Sequence, residues 1–252
     1  MQILYISLGI ILLLILSILF VLGEDLKLIF WYLFSRNNIK YKMIRKYVKG
    51  DKALFLLGTV HGLHYKLKHF SHLHLQATLN MINPELLLVE SRQEEIEKEN
   101  LADGPLEMLF IHLLAKDKEI PVKGIDWFEI DIGKPVTTTK TRDKVIYNNI
   151  MTNINGYKSV LVLFGASHML ITSKKLKRDG YKRVKLTKAE IDNIFLSETE
   201  GFSYHPSTAK YLKIRIESLK KLLNNSLINE IWTKRINIVI ENLTIFIVKL
   251  EG

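Results

Sequence analysis

One motif, which occurs twice, limits most strongly what this chain can fold into. Residues 54–61 read Leu-Phe-Leu-Leu-Gly-Thr-Val-His, and residues 161–168 read Leu-Val-Leu-Phe-Gly-Ala-Ser-His. Each copy is a short apolar run closed by glycine, two small or β-branched residues and histidine. A continuous apolar run of this length reads as a strand buried on both faces. Glycine at its end lets the backbone turn where a side chain would clash. Each histidine is thereby delivered just past the carboxyl end of a buried strand, the edge at which open α/β sheets bind their ligands. Two such deliveries predict one shared site holding His61 and His168, with Gly58 and Gly165 as its structural turns.

The chain between the two copies adds to that edge. Leu63 to Met81 places Leu63, Leu67, Phe70, Ala77 and Met81 at helical spacing, and Asn83-Pro84 breaks the pattern. Glu85 to Val89 follows as a second strand. A strand–helix–strand crossover makes it parallel to the first, so Glu90 emerges beside His61. A carboxylate there can ligate a metal or act as a general base. Leu106, Leu109, Phe110, Leu113 and Leu114 share a helix face after Gly104-Pro105. Ile120 to Ile125 is a third strand ending at Asp126. Arg142 and Asp143 open the next helix, where Asp143 can serve the exposed amides and Arg142 can reach an anionic substrate or intermediate. Ser159 to Phe164 is the fourth strand, a helix runs on to Arg178, and Lys182 to Leu186 reads as a lysine-rich edge strand. The fold class predicted is α/β, a central and mainly parallel sheet flanked by helices over residues 53–200. In the extension 201–252, Pro206 to Leu223 reads as a helix, and Ile236 to Val248 fits a strand pair or a helix.

Five histidines lie between 61 and 74, which invites a metal cluster. His72 stands eleven residues from His61, ~16 Å along a helix axis, too far to share an ion. Only His64, three residues from His61, is placed to join it. His74 falls on the apolar stripe and reads as a hydrogen-bonded core residue. Residues 132–141 lack the spacing of a phosphate-binding loop, and Gly165-Ala166-Ser167-His168 is not a Gly-x-Ser-x-Gly nucleophile turn.

The amino-terminal end carries a different signal. Ile3 to Leu22 holds no charge and is dominated by Ile and Leu, and about 20 such residues span a bilayer as a helix. With only Met1 and Gln2 before it and no small-residue cleavage site after it, the stretch reads as an uncleaved single-pass transmembrane anchor over residues 1–23. Residues 24–52 follow as a basic, aromatic juxtamembrane linker. Its Lys and Arg residues all lie after the span, which predicts a cytoplasmic globular domain. Phe30, Trp31, Tyr32 and Phe34 suit the membrane interface. The formal net charge of +10 raises the question of nucleic acid, but the juxtamembrane excess fits anionic lipid headgroups better. No aromatic–basic interleaving of the RNA-module kind is present, so no nucleic-acid partner is expected. The chain has no Cys, which excludes disulfides, thiolate metal sites and a Cys nucleophile.

Taken in order, Gly58-Thr59-Val60-His61, Val89-Glu90-Ser91-Arg92, Arg142-Asp143 and Gly165-Ala166-Ser167-His168 resemble the TraB/TIKI-like superfamily, which also takes in erythromycin esterases and a haem-binding lipoprotein family. The resemblance covers roughly residues 53 to 186 and implies a pocket lined by His61, Glu90, Arg142 and His168. It also implies a hydrolase of peptide or ester bonds, acting on a peptide or small-molecule substrate. His61, His168 and Glu90 would either hold one divalent metal ion (Mn, Co or Zn) or form a metal-free acid–base set. Arg142 would stabilise an oxyanion or a substrate carboxylate, and Asp126 would orient a histidine from behind. The alternative is a non-catalytic, membrane-tethered protein of the same fold whose histidines hold haem or another ligand.

Overall fold

The computed structural model describes residues 39–61, 64, 70–98, 104–127, 140–195, 204–224, 228 and 230–251, except for the side chains of 231, 232 and 235. The predicted anchor at 1–23 and the linker up to residue 38 lie outside these residues. Among the described residues, no helix is long and apolar enough to cross a membrane.

The protein is an α/β structure built on one six-stranded sheet. Its strands are β1 (Ile44–Lys49), β2 (Lys52–Thr59), β3 (Leu86–Arg92), β4 (Val122–Asp126), β5 (Ser159–Gly165) and β6 (Lys182–Val184), in the order β4-β3-β5-β2-β1-β6. β4, β3, β5 and β2 run parallel, while β1 is antiparallel to both of its neighbours. The apolar runs of β2, β3 and β5 fill the middle of the sheet. Leu56, Leu57, Leu87, Leu88, Val89, Leu161, Val162 and Leu163 are fully buried, as strands covered on both faces require.

Nine helices are described: α1 (Lys40–Met43), α2 (His72–Ile82), α3 (Gln93–Glu97), α4 (Leu106–Asp117), α5 (Lys140–Asn153), α6 (Ala166–Arg178), α7 (Lys188–Phe195), α8 (Thr208–Leu223) and α9 (Glu230–Glu251). Strand order and the right-handed crossover rule place them. From β2 through α2 to β3, and through α4 to β4, the chain moves outward in one direction, so α2 and α4 share a face of the sheet. From β4 through α5 back to β5, and through α6 to β6, it moves the other way, so α5 and α6 take the opposite face. α2 accordingly packs on α4, and α5 on α6. The connections leaving the adjacent strands β2 and β5 depart to opposite faces. A crevice opens at such a switch point, outside the carboxyl ends of the strands.

One feature differs from the sequence reading, and one decides a choice that the sequence left open. Residues 44–49, inside the basic stretch read as linker, form β1 and pair with β2 from Ile44 opposite Leu57 to Lys49 opposite Lys52. Residues 236–248 are helical: Ile236, Leu243 and Ile247 are buried at helical spacing, and Leu243 and Ile247, with Leu212 and Ile216 of α8, close over Leu109, Phe110 and Leu113 of α4.

The two glycine motifs fit into each other. β2 and β5 pair in register, with Gly58 beside Phe164 and Thr59 beside Gly165. A Cβ on Gly58 would stand 3.1 Å from the Cα of Ala166 and 2.9 Å from the terminal methyl of Met169. The first motif thus leaves room for the helix that the second motif opens. Gly58→Ala is expected to lower unfolding free energy by about 1–3 kcal/mol, as overpacking against backbone does. Urea denaturation at neutral pH measures it, and an unchanged midpoint would contradict this packing.

Candidate functional site

Four carboxyl ends meet at the crevice. β2 delivers His61 two residues past Thr59, with a left-handed backbone at φ +47. That conformation is uncommon for a residue with a side chain, and here it carries the chain off the strand while the imidazole turns toward β5. The ring comes so close that a Cβ on Gly165 would meet His61 Nε2 at 2.8 Å and Glu90 Oε2 at 3.2 Å. Each glycine therefore makes room for the opposite motif.

Glu90 sits at the end of β3, where the β3–β4 register breaks after Val89 and resumes at Arg92 opposite Asp126. Irregularities of this kind re-aim side chains at functional edges. The carboxylate is buried, with 3% of the residue exposed, and buried charges need partners. Arg142 Nη2 donates to Oε1 at 2.7 Å, the Gly165 amide donates to Oε2, and His168 Nε2 lies 3.4 Å from Oε1. Arg142 is itself held by Asp126, with Nε donating to Oδ1 at 2.8 Å and Nη2 to Oδ2 at 2.7 Å.

Each histidine has a carboxylate behind it. His168, in the first turn of α6, places Nδ1 2.6 Å from Asp143 Oδ1. His61 places Nδ1 2.7 Å from Glu107 Oε1 in the first turn of α4. Both Nε2 atoms are left facing Glu90. That of His168 is buried and makes no hydrogen bond within normal geometry. His61 is the accessible member, with 48% of its side chain exposed against 1% for His168.

Charge and burial pull these groups in opposite directions. Burial opposes the charged imidazole of His61, but Glu107 and Glu90 outweigh it and raise its pKa to about 9. Burial likewise opposes charge on His168, and its bond to Asp143 together with the neighbouring Glu90 carboxylate raises it to about 9. Burial alone would raise Glu90, yet His168, His61 and Arg142 hold it down at about 2. Burial also works against the Glu107 charge, and His61, His64 and Thr59 hold that carboxyl well below the ordinary range. At neutral pH the crevice is thus a set of alternating fixed charges.

The structure brings together all four residues of the sequence-derived set, His61, Glu90, Arg142 and His168, with Asp126 behind them. It distributes their partners differently. Asp126 holds Arg142, and the carboxylates that orient the histidines are Asp143 and Glu107. Arg142, 10% exposed in its side chain, directs Nε and Nη2 to Asp126 and Glu90. His64 is buried and engaged at both nitrogens: Nε2 accepts from the Val60 amide at 3.1 Å and Nδ1 donates to the Phe70 carbonyl at 2.6 Å. It braces the loop and has no nitrogen left for an ion. His72 is buried against Phe110, with ring centroids 4.5 Å apart, and burial pushes its pKa down to about 3. His74 is a core residue, its Nδ1 2.9 Å from the Ser71 hydroxyl.

Glu107 is the residue that sequence reading missed. A lone acid at the start of the run Leu-Glu-Met-Leu-Phe-Ile-His-Leu-Leu-Ala must be buried or break the helix's contact with the core, and a buried acid implies a partner.

The donor chemistry suits a divalent metal: two imidazole Nε2 atoms, one of them buried without a hydrogen bond, and a carboxylate between them, each imidazole backed by an acid as metal-binding histidines are. His61, His168 and Glu90 would hold it only by drawing closer together than they stand here. Such an ion would supply a polarised water. Among the described residues, no three His, Asp or Glu side chains are gathered closely enough to coordinate one.

Comparison with protein-family models, curated proteins and solved structures gives no match.

The pKa displacements make stability depend on pH. Paired, protonated His168 contributes fully below its ordinary value of 6.5, and the contribution is lost as pH rises through about 9. Ionised Glu90 contributes above 4.5, and its part is lost as pH falls through about 2. The melting temperature of the wild type is expected to fall between pH 6.5 and 9. Asp143→Asn should melt lower at pH 6.5 and show a smaller fall. Parallel curves for the two proteins would contradict the His168–Asp143 pairing.

Proposed function

We propose that this protein is a hydrolase of ester or peptide bonds, attached to a membrane by residues 1–23, with the crevice at the ends of β2, β3 and β5 as its active site. The observation that carries this reading is the pair of imidazoles, each backed by a buried carboxylate, facing one buried and charge-paired glutamate. The order of the motifs, which resembles that of TraB/TIKI-like proteins, supports the same reaction class.

His61 is the reacting base, because it alone of the pair is open to solvent. Its Nε2 takes a proton from water, and the resulting hydroxide adds to the substrate carbonyl. The imidazolium then returns the proton to the leaving oxygen or nitrogen as the tetrahedral intermediate collapses. Glu107 fixes the Nδ1–H tautomer and steadies the imidazolium, as the acid of a catalytic triad does. Glu90 is a poor base, since Arg142 and the Gly165 amide hold it ionised. Its work is electrostatic: a fixed negative charge beside the site where positive charge develops. His168 and Asp143 complete the wall against which Glu90 is set.

Two outcomes test this on the purified full-length chain with a panel of esters and peptides, with and without added Mn, Co or Zn. His61→Asn keeps a residue that tolerates the left-handed backbone and removes the base. It is expected to lower kcat/KM by roughly 10²–10⁴-fold in protein that still folds, as circular dichroism at the assay temperature checks. Equal activity in His61→Asn and wild type, or no turnover by the wild type from pH 6 to 10 under any of these conditions, would refute the assignment. The base must be neutral to act, so the rate should rise with pH toward about 9. Glu107→Gln should move that limb down toward 6.5, the ordinary value of the imidazole. A limb that stays in place would show that His61 is not the group that titrates.

A further inference from the structure

Outside the crevice, the strongest unexplained feature is the distribution of charge. Residues 40–52 carry six basic side chains and one acid, and residues 174–192 carry eight and three. Together the two segments hold a net +10, the formal charge of the whole chain. They lie far apart in sequence, and the sheet joins them. β6 pairs with β1, setting Lys46 opposite Val184, Tyr47 opposite Arg183 and Val48 opposite Lys182. Because strand side chains alternate, Lys46 and Lys182 share one face of the sheet while Lys49 and Arg183 share the other. The last turn of α6, with Lys175, Lys177 and Arg178, flanks the same edge. The cations therefore wrap around one rim of the sheet.

Some of these cations are engaged within the fold. Lys40 pairs with Asp192 at 2.7 Å, Arg45 donates to Ser173 at 2.7 Å, and Lys49 donates to the Asp179 carbonyl at 2.8 Å. Glu190, Asp179 and Asp51 are the other acids at this rim, the first bonded to Thr187, the second to Tyr147 and Arg178 and the third 3.7 Å from Lys158. Lys174, Lys177, Lys182, Arg183 and Lys185 are all exposed and have no partner among the described residues. Val184 is exposed among them. Lysines commonly guard edge strands against pairing, but a strand of three residues is already blunted by its length. So dense a cluster of unpaired like charge is better explained by an anionic surface that it meets.

We propose that this β1–β6 rim, with the end of α6, docks on an anionic lipid bilayer. Two observations favour lipid over nucleic acid. Only nine residues, 35–43, separate the aromatic stretch ending at Phe34 from β1, a reach of at most about 30 Å. In sequence, the strand at the rim thus follows directly on the basic, aromatic stretch read as juxtamembrane. Stacking of bases needs open aromatic faces, and the rings here are covered by lysines: Lys40 and Lys188 over Tyr41, Lys49 over Tyr181 and Lys175 over Tyr147. β6 stands two strands from β2, which carries His61, about 10 Å away. Docking there holds the domain side-on and leaves the carboxyl edge with His61 clear of the surface.

The chain has no Cys, so a single Val184→Cys in the full-length protein accepts one environment-sensitive fluorophore. The probe is bound to vesicles of neutral phosphatidylcholine, or of the same lipid with about a third phosphatidylserine, carrying a headgroup quencher. Sedimentation reports attachment by any route, and quenching reports the rim. The expected result is quenching on the anionic vesicles alone, reversed by salt, and weakened roughly fivefold for each cation removed in Lys182→Gln, Arg183→Gln and Lys185→Gln. That result supports the proposal whether or not neutral vesicles also sediment the protein, since neutral sedimentation tests only the anchor. Equal quenching on both vesicles, sedimentation without quenching, or no binding to either would overturn it. So would stronger protection of the label by single-stranded RNA than by anionic vesicles.

Discussion

A buried carboxylate sets the terms for this structure. Glu90 ends a strand that is dry on both faces, where an unpaired negative charge would cost several kcal/mol. Its partners come from three directions: the guanidinium of α5, the amide at the start of α6 and the imidazole one turn further on. Arg142, brought in as counter-charge, needs Asp126 at the end of β4 for its remaining donors. A chain of paired charges thus ties β4, β3, β5 and two helices together at one edge. Removing a single member leaves the others uncompensated, so the arrangement is held as a unit.

The repeated motif acquires its meaning from the same edge. Neighbouring parallel strands whose connections leave to opposite faces open a crevice, and β2 and β5 are that pair. The space is narrow because Gly58 admits the start of α6 and Gly165 admits the His61 ring. Either glycine enlarged by one methyl would move a histidine or the helix that carries it. The motif is therefore a reciprocal clearance, with the glycines one residue out of step in the register, Gly58 beside Phe164 and Gly165 beside Thr59.

Much of this could be read from the residues. Apolar runs closed by glycine located β2 and β5, the crossover rule put Glu90 beside His61, and helical spacing found α4 and α8. What escaped reading depended on partners distant in sequence. Asp143 reads as an acid of a helix first turn and Glu107 drew no reading, and nothing local says that Glu107 meets a histidine 46 residues away or Asp143 one 25 residues away. Asp126 was assigned to a histidine because it stood at the correct edge, but the edge does not decide which of two neighbours it bonds. β1 was hidden by its lysines, which mark an edge region and were read as linker. α9 was ambiguous because its isoleucines satisfy both periods, and only contact with α4 and α8 chooses the helix.

The chemistry proposed rests on an imidazole that is open to solvent, held by an acid and charged at neutral pH by its surroundings. Nitrogen-15 shifts of the imidazoles in the full-length protein, followed from pH 5 to 10.5, observe that state directly. His61 and His168 are expected to remain protonated on both nitrogens at pH 7.5 and to titrate near 9, while His72 stays neutral throughout. Two histidines titrating near the ordinary 6.5 would contradict the charge arrangement on which the crevice, and the function drawn from it, depends.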